Sequence, residues 1–583
     1  MMKTKYVLLV CTFCVLFLTS ACTFFTGTDN NKENKMNFEY VHYHNVRIPM
    51  RDGITLAADV YLPDAPGPFP VILSRSPYGG TSGLQYTGPC KQGFAVVWVD
   101  CRGRFLSGGT CTPTQTEIED GYDTLEWLSK QTWCDGNVGM VGGSYPALTQ
   151  LGAASSGHPA LKAIAPSALS NSFHSAYYTN GVLELSFMPS WHINMSAREH
   201  KPPKAPNFAV LRNEFPVHTL DERAFMPSPS WKTISTTPDR EAPFWKKIEL
   251  KDYAKEIKCP FFIQTSYFDL LGRQGPEIYT ELMASPDICE EFKKHSWLRI
   301  GPWGHGVNVK EGDFSFGPDA LVTEKEELDF LHSILKGKDP ELDNAPGRVC
   351  YFTMGENKWH YADTWPVPGA IETPFYLGSK GGANTSNGDG YLTRTKLTAD
   401  QPADKFIYDP MNPVPTCGGR MVGSGGMRDQ SEIEQRQDVL VYTSPELTED
   451  LTVTGVIKAK LFVQSSAPDT DFTVKIVDVY EDGKPMNICD TIYRMRYREG
   501  YKNPVFMKKG ETYEVNFNVD FTSYMFKKGH KVRIEISSSN FPHFERNLNT
   551  EKMPSLETEP QKAEQTILHS AQYPSCIIFP VFK

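Results

Sequence analysis

"VGMVGGSYPALTQLGAAS", residues 138–155, is a short apolar run of strand type that ends in two glycines and a serine. Apolar residues at helical spacing follow at once. A strand that turns directly into a helix presents its turn residue, Ser144, at the edge of a sheet. A serine there is either a nucleophile held on a sharp turn or an ordinary helix cap. Gly142 stands two residues before it, as a nucleophile turn requires. Pro146 stands two residues after it, where glycine is usual. Proline is tolerated in the first turn of a helix, where its missing N–H loses no partner. It also restricts Tyr145, whose backbone N–H is the expected oxyanion donor.

The flanking chain repeats this strand–helix grammar. "YVHYHNVRIPM" (40–50) and "ITLAADVYLP" (54–63) read as a hairpin. "PVILSRSPYGG" (70–80), "GFAVVWVDCRG" (93–103) and "LKAIAPSA" (161–168) read as buried strands, with a helix at "EIEDGYDTLEWLSKQ" (117–131). Such alternation specifies a mainly parallel sheet with helices on both faces. From about 170 to 252 the order lapses into aromatic-rich and proline-rich sequence, expected to be a helical cap insertion. It returns with "CPFFIQTSYFD" (259–269), "GPEIYTELMAS" (275–285), "SWLRIGPWGHG" (296–306) and "EKEELDFLHSILKG" (324–337). After about 343 nine or more strand-type runs follow and helical periodicity is scarce, so residues 344–583 are expected to form a β-sandwich.

The N-terminus reads as a targeting segment. Lys3 and Lys5 precede the apolar run "YVLLVCTFCVLFL", and "TSAC" follows. Residues 1–22 are expected to be a signal peptide with a lipoprotein-like site at Cys22, although Thr19 replaces the usual Leu. A plain cleaved signal is the alternative. Residues 23–37 read as a polar tether, and 38–343 as the α/β domain. An exported protein, lipid-anchored in a bacterial cell envelope or else periplasmic or secreted, is the expectation.

The chain has 583 residues and a net charge of −10, which argues against a nucleic-acid partner. Outside the leader its cysteines are scattered singly, with no zinc-like spacing. Cys101 and Cys111, flanking a glycine-rich turn, are the one candidate disulfide. No metal and no organic cofactor is called for.

A serine hydroxyl needs a base, and the base an orienting carboxylate. The chain order expected for this fold is Ser, Asp or Glu, then His, each in a loop after a strand. Asp269 and His305 satisfy it. With these, the sequence resembles the cocaine esterase/X-prolyl dipeptidyl peptidase (peptidase S15-like) group of α/β-hydrolases, which includes glutaryl cephalosporin acylases and α-amino acid ester hydrolases. The motifs that carry the likeness are "VRIPMRDGITLAADVYLP", "SRSPYG", "VDCRGRFLSGG", "WLSKQTWCDGNVGMVGGSY", "IGPWGH", "DQSEIEQRQDVLVYTS", "DTDFTVKIVDVYEDG" and "GHKVRIEISSSNFPHFERN". The resemblance implies an α/β-hydrolase core with a cap, a C-terminal jelly roll, and Ser144, His305 and Asp269 as nucleophile, base and orienting acid. It also implies an oxyanion hole of the Tyr78 phenol and the Tyr145 N–H. Asp100 and Arg102 are expected to brace the loop beside the elbow.

The reaction expected is hydrolysis of a small ester, amide or short peptide through an acyl-enzyme. An X-prolyl dipeptidyl aminopeptidase and a non-catalytic ligand-binding lipoprotein are the alternatives. Tyr177, Tyr178, Phe187, Trp191 and Phe244 are candidate pocket residues. Arg273 could receive an anionic acyl group, or be solvated or paired. No acid follows Asp269 in "DLLGRQG", which counts against the ammonium-binding branch.

Overall fold

The computed structural model describes residues 39–79, 87–113, 115–170, 172–198, 206–247, 256–322, 325–337 and 345–582. The leader, Cys22 and the tether lie outside the described residues.

The strands up to the cap are β1 (Tyr40–Pro49), β2 (Thr55–Pro63), β3 (Phe69–Ser76), β4 (Ala95–Asp100), β5 (Cys134–Gly143) and β6 (Leu161–Ser167). The cap holds a hairpin of β7 (Tyr178–Thr179) and β8 (Val182–Leu183). Then come β9 (Phe262–Ser266), β10 (Trp297–Gly301), a hairpin of β11 (Lys310–Glu311) and β12 (Phe314–Ser315), β13 (Val349–Thr353) and β14 (Lys358–Ala362). Ten of these form one sheet in the order β1-β2-β4-β3-β5-β6-β9-β10-β13-β14. From β4 to β13 all neighbours are parallel.

The unbroken apolar runs explain this arrangement. Every residue of β3 and β4 is buried, as a sheet covered on both faces demands. Helices α1 (Glu117–Ser129) and α2 (Tyr145–Ser155) precede the cap helix α3 (Met188–Met195), and α4 (Gly275–Ala284) and α5 (Lys325–Lys336) follow it. All of α2 is buried, which is why its sequence has no polar face. On α5, Phe330, Leu331 and Leu335 pack in one cluster with Val141 and Phe262. Each contributes about 1.5–3 kcal/mol. A Cβ on Gly139 would stand 2.8 Å from Leu331, so glycine lets α5 lie against the sheet.

The lapse in pattern after residue 170 is a cap of short helices and the β7–β8 hairpin, in residues 172–198 and 206–247. "GRVCYFTM" (347–354), which falls within the residues expected to form the sandwich, behaves differently. Its strand β13 pairs parallel with β10 and, with β14, extends the first sheet to Ala362, beyond the boundary expected at 343/344. All five residues of β13 are buried, so it serves as an inner strand of the α/β sheet.

Eleven strands make the second sheet: β15 (Ile371–Gly378), β16 (Tyr391–Thr393), β17 (Asp404–Tyr408), β18 (Leu440–Thr443), β19 (Leu451–Ser465), β20 (Asp471–Val479), β21 (Pro485–Arg494), β22 (Tyr513–Phe526), β23 (Lys531–Ser537), β24 (Ala563–Leu568) and β25 (Cys576–Phe582). Almost all of its pairs are antiparallel, and it folds on itself as the jelly-roll sandwich. The ten cysteines among the described residues are free thiols, so the candidate Cys101–Cys111 disulfide is not formed. Among the described residues no helix is long and apolar enough to cross a membrane.

Candidate active site

Three loops leave the same carboxyl edge of the parallel sheet. Ser144 follows β5, Asp269 follows β9 and His305 follows β10. Because β9 and β10 are neighbours in parallel register, with Ser266 opposite Gly301, their following loops are forced together.

The turn at Ser144 is strained. Its φ of 65° and ψ of −130° lie in a region that L-residues rarely occupy, at a cost of roughly 1–3 kcal/mol. The Ser144 N–H donates to the Ser167 carbonyl at 3.0 Å, which anchors the turn to β6. Gly142 has φ 131°, and a Cβ there would lie 2.6 Å from Pro146. Pro146 thus fills space that the glycine leaves, and this accommodates the departure from the usual glycine. The Ser144 side chain makes no capping hydrogen bond to α2. Its Oγ meets the Tyr78 hydroxyl instead, at 3.4 Å. The question posed by the opening stretch is answered on geometry: the serine starts the helix without capping it.

Tyr78 sits in the loop after β3. The Trp191 indole N–H, on α3, donates to its oxygen at 3.2 Å and leaves the phenol proton to be given elsewhere. Desolvation holds the phenol above its ordinary pKa, while bonds with Ser144, Trp191 and the backbone of Tyr145 pull it back. Tyr78 as a whole is 37% exposed. The Tyr145 side chain is pinned by a 2.7 Å bond from its hydroxyl to Glu117 Oε1. Glu117 is paired in turn with buried Arg75 at 2.8 Å. The backbone N–H that follows Ser144 is therefore on a fixed residue.

Asp269 is fully buried, and its Oδ1 meets His305 Nδ1 at 2.9 Å and accepts the Leu271 N–H at 3.0 Å. This leaves Nε2 as the imidazole nitrogen able to exchange a proton with a hydroxyl. Burial pulls the His305 pKa down, but the charge and hydrogen bond of Asp269 outweigh it, and the net direction is upward. The two loops are stitched together: Tyr267 N–H to Gly301 O at 3.0 Å, Phe268 N–H to Trp303 O at 2.9 Å, and Ser266 Oγ to Gly304 O at 2.9 Å. No hydrogen bond joins Ser144 to His305 among the described residues. Such contacts tighten when substrate binds.

Arg102 ties Asp120, with Nε at 3.0 Å, to Asp52 at 2.6 Å, behind the elbow. Asp100 braces the same loop through a different contact. Its carboxyl accepts a backbone bond from Leu106 and is pushed up to about 6 by burial. Of the candidate pocket residues, Trp191 stands beside the serine, 5.8 Å from the Tyr145 ring and 5.9 Å from Phe173. Phe187 is half-buried just before α3. Tyr177 and Tyr178 do not line a pocket. Both are buried cap-core residues whose hydroxyls are engaged, with His192 at 2.9 Å and the Ile234 carbonyl at 2.7 Å. Phe244 packs on Trp245 at 4.9 Å and belongs to the same core. The Arg273 guanidinium bonds Thr179 Oγ1 at 3.1 Å and faces Asp520 at 3.5 Å, so its charge is already paired.

One supporting residue has no local signal in the sequence. Arg420, from the β-domain, donates to the Ser266 and Asp269 carbonyls at 2.9 and 3.1 Å. It is paired with fully buried Asp520 at 2.9 Å and lies over Phe521. The second domain thus holds the acid loop from behind.

A strained serine between strand and helix, an Asp–His pair at the same sheet edge and a following jelly roll define a serine hydrolase of the α/β-hydrolase type. Residues 52–307 match X-Pro dipeptidyl-peptidase (S15 family), and residues 343–578 match the X-Pro dipeptidyl-peptidase C-terminal non-catalytic domain. The chain is 37% identical over 574 residues to cocaine esterase of Rhodococcus sp. (strain MB1 Bresler), covering 92% of this chain and 98% of that protein. It belongs to the cocaine esterase group of the S15 family, and it is an ester hydrolase. Its likeness to the Xaa-Pro dipeptidyl-peptidase of Lactobacillus delbrueckii subsp. lactis is weaker, 23% over 415 residues, covering 65% of this chain and 48% of that one. Among solved structures, an aminopeptidase from a Thaumarchaeota archaeon shares the fold with a TM-score of 0.82 at 24% identity, covering 97% of this chain and 100% of that one. An α-amino acid ester hydrolase does so with a TM-score of 0.80 at 24% identity, covering 95% and 98%.

Proposed function

We propose that Ser144, His305 and Asp269 are the triad of an esterase for neutral esters with an apolar or aromatic acyl group. The single observation that carries this reading is the Ser144 hydroxyl: it declines the helix cap and meets the Tyr78 phenol. Ser144 Oγ attacks the acyl carbonyl and passes its proton to His305 Nε2. The oxyanion is received by the Tyr78 O–H and the Tyr145 N–H. The ester C–O bond breaks as His305 returns the proton to the leaving alcohol. Water then enters, gives a proton to His305 and attacks the acyl-enzyme. Collapse of the second tetrahedral intermediate releases the acid and restores the Ser144 hydroxyl.

The acyl preference rests on the half-buried Trp191 indole bonded to the Tyr78 phenol, and on the engagement of Arg273 with Thr179 and Asp520, which ties up a cation that would suit an anionic acyl chain. A panel of aryl benzoates, glutaryl anilides and unblocked Xaa-Pro p-nitroanilides tests it. The benzoates are expected to give the highest kcat/KM. Faster turnover of the dipeptide anilides would reverse the reading in favour of an exopeptidase.

Tyr78→Phe keeps the ring and removes the donor. It is expected to lower kcat by roughly 10²–10³-fold with KM little changed, measured by steady-state ester hydrolysis. The pH profile carries a second expectation. His305 acts as base when neutral, and its pKa is raised, so the ascending limb of kcat/KM lies above the ordinary imidazole value of about 6.5. In Asp269→Asn the raising interactions go and burial remains, so the limb moves to lower pH.

Export and anchoring through Cys22 complete the proposal, supported by the charged start, the apolar run and the small residues before the cysteine. Cys22→Ala is expected to abolish metabolic labelling with palmitate and to release the protein from the membrane fraction.

A further inference from the structure

We propose that His42, His44 and Asp59, on the outermost two strands of the α/β sheet, form a binding site for a divalent transition-metal ion of the zinc, copper or nickel class. The site lies outside the machinery assigned to ester hydrolysis. Alternate residues of a strand share a face, so His42 and His44 project together from β1. His42 is opposite Tyr61 in the antiparallel β1–β2 ladder, and Asp59, two residues before Tyr61, lies on that same face.

The donor atoms converge. His44 Nδ1 is 2.7 Å from Asp59 Oδ1, His42 Nε2 is 3.4 Å from Asp59 Oδ2, and one donor from each residue lies within 4.8 Å of the others. An ion with bonds of about 2.0–2.2 Å in tetrahedral geometry spaces its donors by roughly 3.4 Å. A small outward shift of His44 therefore admits it. The ligands are also pre-oriented. The His42 ring stacks on Tyr61 at 4.3 Å with an interplanar angle of 4°. The Asp59 carboxylate is held by the Asn45 N–H at 3.1 Å, at the irregularity where the β1 register shifts. Such outer contacts fix ligand geometry as the ligands themselves do.

A second carboxylate lies beneath. Asp100 is on the same sheet face, two residues beyond Trp98, which pairs with Asp59. It is 5% exposed, and its Oδ1 has no hydrogen-bond partner. Its charge adds to the attraction for a cation. The histidine side chains are 37% and 65% exposed, leaving a path for the ion and an open coordination position for water. Two imidazoles and a carboxylate suit zinc, copper or nickel, whereas magnesium and calcium take oxygen donors. A bound ion would clip the edge strand β1 to β2.

The test is calorimetric titration of zinc chloride, and separately nickel chloride, into chelator-stripped protein carrying no polyhistidine tag, near neutral pH. One ion per chain is expected, with affinity lowered roughly 100-fold in the double variant His42→Ala/His44→Ala. Both side chains are on the surface, so circular dichroism and ester turnover of the variant should match the parent. Copper(II) bound to the parent should show electron paramagnetic resonance coupling to two nitrogens, absent from the variant. Equal binding by the variant, or no binding of any of the three ions in the micromolar range by the parent, overturns the proposal.

Discussion

Ser144→Ala should lose ester turnover by roughly 10⁴–10⁶-fold while remaining folded. The serine sits where the other groups have no substitute for it. The imidazole is committed to Asp269 on one nitrogen, and the Tyr78 phenol and the Tyr145 N–H supply no nucleophile. The residue that replaces it also reports on the turn. At φ 65° a side chain is strained, so Ser144→Gly should unfold at higher denaturant than Ser144→Ala, by about 1 kcal/mol, though it is equally inactive. Stability that rises as activity vanishes would identify strain held for catalysis. Both variants can be compared by urea unfolding and by initial rates on an aryl ester.

Arg420→Met is the second large effect, and it acts on stability. The guanidinium side chain is 3% exposed and its partner Asp520 is not exposed at all. Removing the arginine leaves the buried carboxylate with only the looser 3.5 Å contact to Arg273, and two carbonyls, of Ser266 and Asp269, without their donor. Breaking a buried pair in this way costs about 3–5 kcal/mol. The double variant Arg420→Met/Asp520→Asn removes the buried charge and should recover much of the loss. It should not recover full activity, because the acid loop still lacks its tether to the β-domain. Denaturant midpoints and kcat on the same preparations separate the two consequences.

The strand-end loops that carry Ser144, Asp269 and His305 are legible because each leaves a local trace. Glycine before serine between a strand and a helix marks the elbow, and a polar residue just past an apolar strand marks Asp269 and His305. The departure at Pro146 looked damaging in one dimension, since only the packing against Gly142 reveals the space it fills. Aromatic residues misled for a physical reason. Tyr177 and Tyr178 have the periodicity of a core and of a pocket alike, and only their buried, bonded positions decide. Trp191 was picked out as pocket lining, but its bond to Tyr78 crosses 113 residues and has no signature. Arg420 reaches Asp269 across 151 residues with none either. Sheet membership was equally hidden for β13, because an apolar run declares a strand but not its neighbours. His42 and His44 lie on β1, and only the pairing with β2 brings Asp59 beside them.

The central claim is that one serine is made nucleophilic by this fold. The most direct test is stoichiometric reaction with a fluorophosphonate, followed by mass mapping of the adduct. The account predicts one adduct per chain, on Ser144, formed rapidly by the parent protein and far more slowly by His305→Ala. A folded, ester-hydrolysing protein that leaves Ser144 unlabelled, or carries the adduct on another residue, would contradict it.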